Sequence, residues 1–116
     1  MSYTSARLTT KNKGDWMQGK LEIRASLPTG IGTWPAIWML PTDWVYGGWP
    51  ESGEIDIMEH VGYNPNWIHG TIHTDEYNHM DGTQLGGQIH IDDASSNFHT
   101  YSIAWTDEYI KWYVDD

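Results

Sequence analysis

The stretch Gly53-Glu54-Ile55-Asp56-Ile57-Met58-Glu59-His60 interleaves three acids with large apolar residues, the pattern of a strand with carboxylates on one face. Alternation puts Glu54 and Asp56 on one side and Ile55 and Ile57 on the other, which leaves Glu59 facing the wrong way. A β-bulge with Met58 as the extra residue returns Glu59 to the acidic face. The three Cα atoms then span roughly 13 Å, at about 3.3 Å per residue. Two glutamate arms leaning inward bring the outer carboxyls to about 5–5.5 Å, close enough for one to attack an anomeric carbon and the other to serve as acid and base. Crowded like charges raise one another's pKa, so one carboxyl can keep a proton while another stays ionised. The same spacing also suits an acidic edge strand with exposed carboxylates.

Such a row needs a sheet to hold it, and the rest of the chain reads as strands. Tyr3 to Thr10 is rich in Thr and Ser, and Lys11-Asn12-Lys13-Gly14 reads as a turn, so a hairpin is expected into the strand that follows. Asp15 to Leu27 alternates, with Met17, Leu21, Ile23, Ala25 and Leu27 on one face and Trp16, Gln18, Lys20, Glu22, Arg24 and Ser26 on the other. Arg24 on that polar face has the planar fork to hold a carboxylate or a sugar hydroxyl, and an ordinary surface arginine has the same spacing. Trp34-Pro35-Ala36-Ile37-Trp38-Met39-Leu40 begins another strand, with Trp34, Ala36 and Trp38 on one side and Pro35 marking an edge or a strand start.

Pro41 to Gly53 has loop composition yet carries Trp44, Tyr46 and Trp49, rings that a loop does not expose without a use. Gly62 to Asn66 is a turn, and Trp67 to Thr74 a strand whose one face holds Trp67, His69, Thr71 and His73, the last beside the carboxylates. Asp75 to Gly87 reads as a loop, Gln88 to Ile91 as a short strand, and Phe98–Trp105 with Ile110–Val114 as a hairpin. No window shows a sustained helical period, so the expected class is all-β.

Composition narrows the partners. Six basic against sixteen acidic residues give a net charge of −10, which repels a phosphate backbone and argues against nucleic acid. Eight Trp and seven Tyr in 116 residues exceed the needs of a core and suit stacking on flat sugar faces. The absence of cysteine excludes disulfides and thiolate metal sites. The first residues, Met1 to Arg7, hold no apolar signal-peptide core, and no apolar run approaches the ~20 residues of a membrane helix.

Trp34-Pro35-Ala36-Ile37-Trp38, then Gly53-Glu54-Ile55-Asp56-Ile57-Met58-Glu59-His60-Val61-Gly62, then His69-Gly70-Thr71-Ile72-His73, together resemble glycoside hydrolase family 16, nearest its bacterial laminarinases, the endo-1,3-β-glucanases. The resemblance implies a concanavalin-like β-jelly-roll sandwich whose concave sheet binds β-glucan and cleaves it by double displacement. Glu54 would be the nucleophile, Glu59 the general acid/base, and Asp56 the residue that hydrogen-bonds the nucleophile. Trp38, Trp49, Arg24, His73 and Trp34 would line the sugar subsites. The extra residue at Met58 separates the chain from the lichenase branch, which resembles Glu-x-Asp-x-Glu.

Family members are longer, so residues 1–116 are expected to form a partial catalytic domain, the central part of the fold, whose remaining strands come from elsewhere, another chain included. The resemblance also implies a secreted or periplasmic protein. Other readings are a hydrolase of mixed-linkage glucan, agarose or carrageenan, and a non-catalytic glycan-binding module. A zinc site from His60, His69, His73 and Glu59 has no recognised spacing, so no catalytic metal is expected. A structural calcium agrees with the family, with no ligand set legible.

Overall fold

A computed structural model describes residues 3–115. Its strands are β1 (Gly19–Ala25), β2 (Ala36–Met39), β3 (Glu54–Glu59), β4 (Trp67–His73), β5 (Leu85–His90), β6 (His99–Trp105) and β7 (Ile110–Val114). No helix occurs among the described residues. The strands form two antiparallel sheets, ordered β1-β6-β7 and β2-β3-β4-β5, with β3 stacked over β6. This is the all-β sandwich expected from the sequence.

Alternation explains β1. Leu21, Ile23 and Ala25 turn inward while Lys20, Glu22 and Arg24 stay exposed. Leu27 continues the inward row into a core cluster with Met58, Ile68, Ala94 and Tyr101, joined by Ala25, Ile37, Ile91 and Val114. The loop after β5 is fastened to this core by a hydrogen bond from Leu27 N–H to the Ala94 carbonyl (3.0 Å). The β6–β7 hairpin turns where expected: the Thr106 hydroxyl accepts from the N–H groups of Glu108 and Tyr109, and Thr106 N–H donates to the Tyr109 carbonyl.

Three expectations need correction. The turn at Lys11–Lys13 forms, with Lys13 N–H donating to the Thr10 carbonyl, but residues 3–10 are not a strand and no hairpin precedes β1 among the described residues. The partner of β1 is β6, and no described strand lies along residues 3–10. Met17 accordingly falls outside the inward row and is 83% exposed. Second, β5 starts at Leu85, within the expected loop. Gly86 and Gly87 read as loop residues, yet Gly86 lies opposite Thr71, where a Cβ would come 2.6 Å from the Gly70 carbonyl oxygen. Glycine there lets two strands approach closely.

The third concerns the bulge. The register shifts as expected, since Asp56 faces Thr71 and Glu59 faces His69, so that Ile57 and Met58 together oppose Gly70. Toward β2, however, Met58 pairs with Ile37 and Asp56 with Trp38, so the residue without a partner is Ile57 rather than Met58. Both side chains are buried, Met58 within the core cluster. Two consecutive inward residues are what turn Glu59 back to the acidic face.

Candidate active site

Glu54, Asp56 and Glu59 lie in register with His73, Thr71 and His69 of β4, and Asp56 and Glu59 with Trp38 and Ala36 of β2. Directly paired residues point to the same side of a sheet, so three acids, two histidines, a threonine and Trp38 share one face. Each outer acid is held by an indole from a preceding loop. Trp49 Nε1–H donates to Glu54 Oε2, and Trp34 Nε1–H donates to Glu59 Oε1 at 3.0 Å. An indole N–H can only donate, so both bonds fix the direction in which a carboxylate oxygen points.

Segment 33–35 reaches Glu59 because the β2–β3 pairing continues past the strand ends. His60 N–H donates to the Pro35 carbonyl and Gly62 N–H to that of Thr33. Pro35, lacking an N–H, fits this start of an outer strand, as the sequence suggested.

Asp56 is the buried member of the row, 2% exposed. Its Oδ2 lies 3.1 Å from His73 Nε2, and its carboxyl shares a hydrogen bond with Glu54. Burial, followed by the charges of Glu59 and Glu54, pushes its pKa up to about 8. Near neutral pH it keeps a proton that it can donate to Glu54.

That protonation has a measurable consequence. An unfolded aspartate titrates near 3.9. From about pH 4 to about pH 8 the folded chain therefore holds a proton that the unfolded chain has released, and stability drains away as pH rises through this window. Asp56→Asn cannot ionise and loses that slope, so its Tm should gain on the parent's by about 5 °C or more between pH 4 and pH 8. Scanning calorimetry across the window checks this; parallel curves for the two proteins would mean that folding leaves the Asp56 titration unchanged.

The other nominated residues divide. Trp34, Trp38 and Trp49 reach the acids. His73 does too, but only 8% exposed, with its ring centroid 5.7 Å from that of Trp49, so it supports Asp56 and Trp49 from beneath and presents little surface to a ligand. Arg24 does not arrive. It sits on β1 opposite Thr100, in the other sheet, with its guanidinium 4.4 Å from the centre of the Phe98 ring. Its strand alternates as read, but the polar face turns outward to solvent.

The cation near the site is instead Arg7, 4.5 Å from the centre of the Trp38 ring. Nothing in its spacing announces this contact, because it joins an unpaired N-terminal segment to β2. A groove of about 280 Å³ continues over β4 and β5, lined by His69, Thr71, Gln84, Gly86, Gly87 and Gln88. Its glutamines lay in or next to what reads as loop. His60, by contrast, is fully buried and bonds through Nε2 to the Pro65 carbonyl at 2.7 Å, holding the following turn. Among the described residues no three His, Asp or Glu side chains gather as a metal site.

A two-sheet β-sandwich whose face carries a row of carboxyls between indoles has the build of a carbohydrate-active domain. The chain belongs to the glycosyl hydrolases family 16, whose family model matches residues 1–116. It is 60% identical over 116 residues to a beta-glucanase of Rhodothermus marinus, covering 98% of this chain and 41% of that protein. To glucan endo-1,3-beta-glucosidase A1 of Niallia circulans it is 44% identical, over 97% of this chain and 17% of the other. The structure of the Rhodothermus marinus laminarinase superposes with a TM-score of 0.90 at 58% identity, over 92% of this chain and 43% of that one. The chain thus spans less than half the length of these relatives, and its sandwich corresponds to part of their jelly roll.

Proposed function

We propose that this chain carries the acid row of a retaining endo-hydrolase that cleaves β-1,3-glucan of the laminarin type. The observation that carries the reading is the bulge at Ile57–Met58, which sets Glu54, Asp56 and Glu59 on one face, with an indole donor on each outer carboxyl. The names of the beta-glucanase and endo-1,3-beta-glucosidase relatives support the substrate.

Ionised Glu54, steadied by Trp49 and by the Asp56 proton, attacks the anomeric carbon while Glu59 gives its proton to the departing oxygen. Glu59 then takes a proton from the water that releases the sugar from Glu54, so the anomeric configuration is retained. Trp38, in register with Asp56, offers a ring face against which a sugar can be aligned before reaction. Every step uses carboxyls and water. A glucan polymer does not cross a bilayer, so the enzyme works outside the cytoplasm, secreted or in the periplasm.

The test is release of reducing ends by this chain from laminarin, mixed-linkage glucan and agarose, with the anomer formed first identified by proton NMR. Laminarin cleaved to the β-anomer is the expected result. Release only from agarose would reassign the polysaccharide, and an α-anomer as first product would refute double displacement.

A further inference from the structure

Trp112 stands on β7, in the sheet that carries none of the three acids. Its partner in register is Ile103, which is fully buried, so its side chain points into the space between the sheets. There its indole N–H donates to the backbone carbonyl of Asp56 at 2.9 Å. Among the described residues this is the one side-chain hydrogen bond that joins a strand of one sheet to a strand of the other.

The indole needs room at that point, and Gly70 supplies it. Gly70 is the β4 residue opposite the bulge, and a Cβ there would lie 2.5 Å from Trp112 Nε1 and closer still to Cδ1. The three features coincide: an extra residue in β3, a missing side chain across from it in β4, and an indole from β7 in the gap. A bulge interrupts the ladder bonds that normally orient successive peptides, so something else must fix the peptide at which it begins. The hydrogen bond from Trp112 grips that peptide.

We propose that Trp112 is a positioning residue for the acid row: by holding the Asp56 carbonyl toward the inter-sheet space, it sets where the Asp56 and Glu59 carboxyls point on the opposite face. It touches no substrate and acts through the backbone of β3. The groups whose mutual arrangement it governs are Glu54, Asp56 and Glu59 of β3, His73 and His69 of β4, and Trp34, Trp38 and Trp49, which come from β2 and the loops. The kinetic side of the inference rests on the glycosidase reading above; the structural side does not.

The experiment compares the parent chain with Trp112→Phe, which keeps a ring but loses the donor, and with Gly70→Ala, which keeps the donor but displaces it. Three readouts are taken: kcat and KM on laminarin, the Asp56 titration from carbon-13 NMR of labelled carboxyls, and Tm. Both variants should lower kcat about tenfold to a hundredfold with KM nearly unchanged, the effect of misaimed reacting groups. Both should also move the Asp56 midpoint by about half a pH unit or more, because the distances from Asp56 to Glu54, Glu59 and His73 change. A lower Tm with the parent's kcat and Asp56 titration would overturn the proposal, since a purely structural tryptophan gives that result. If Trp112→Phe fails to fold, Gly70→Ala decides by the same readouts. If the parent releases nothing from laminarin, the glycosidase reading falls, and a displaced Asp56 midpoint still upholds the positioning role while an unchanged one sinks it.

Discussion

Glu54→Gln abolishes release of reducing ends from laminarin, by a factor on the order of 10⁴ to 10⁶, the usual cost of losing the group that bonds covalently to the substrate. The amide has nearly the shape of the acid, and its oxygen can still accept the hydrogen bond from Trp49 Nε1–H, so the loop carrying Trp49 keeps its place. Binding of a laminarin oligosaccharide should therefore stay within about threefold of the parent, since the variant loses an interaction made only in the transition state. Two measurements settle it: the rate of sugar release, and mass spectrometry of the parent after trapping with a slow fluorinated glycoside. The parent peptide that contains Glu54 should gain one glycosyl unit and the variant peptide none. A variant that retains a tenth of the parent's rate would assign the nucleophile elsewhere.

Glu59→Ala has the second-largest effect, and a distinctive one. Loss of the proton donor should slow laminarin hydrolysis by about 10²–10⁴. The loss depends on the leaving group, because an aryl glycoside whose phenolate departs unaided has little need of a proton. Attack on such a substrate should remain near the parent's rate, after which the glycosyl group accumulates on Glu54 for want of a base to activate water. Azide, a nucleophile that needs no base, should restore turnover and give a glycosyl azide of retained configuration. In the parent the pH–rate curve is bell-shaped, and in Glu59→Ala with azide the basic limb vanishes. Equal slowing of aryl and glucan substrates would contradict the assignment. Trp34, whose N–H donates to Glu59 in the parent, loses its acceptor in this variant, so Glu59→Gln serves as the control for its displacement.

The acid row was legible because it breaks the period of its own strand. Two acids two residues apart fit a plain strand, a third displaced by one does not, and a bulge is the local device that reconciles them. Which residue lacks a partner was not legible, because it depends on how Met58 pairs with Ile37 across β2, and on Met58 being taken up by the core. Arg24 illustrates a different limit: alternation divides polar from apolar faces but does not say which sheet receives the strand. His73 was correctly set next to the acids by parity, yet parity carries no measure of depth, and the ring lies beneath Trp49. The individual pairings of Trp34 with Glu59 and Trp49 with Glu54 depend on loop paths that no periodicity encodes. Gly86 and Gly87 hid the first half of β5, since residues that permit close strand approach have the same composition as a turn. Trp112 carried no signal at all, since its partner is a main-chain carbonyl 56 residues away in sequence.

The doubled inward step at Ile57 and Met58 lets β3 take up one extra residue without lengthening its acid row. Removing one of the two would return the strand to unbroken alternation, with Glu54, Asp56 and Glu59 still on the same side and the outer pair still set apart by the four β4 steps from His73 to His69. A single codon can therefore be gained or lost in β3 without altering the reach, the identity or the facing of any acid. The shortened strand has the Glu-x-Asp-x-Glu form, so two sequence forms of one acid row are a single deletion apart.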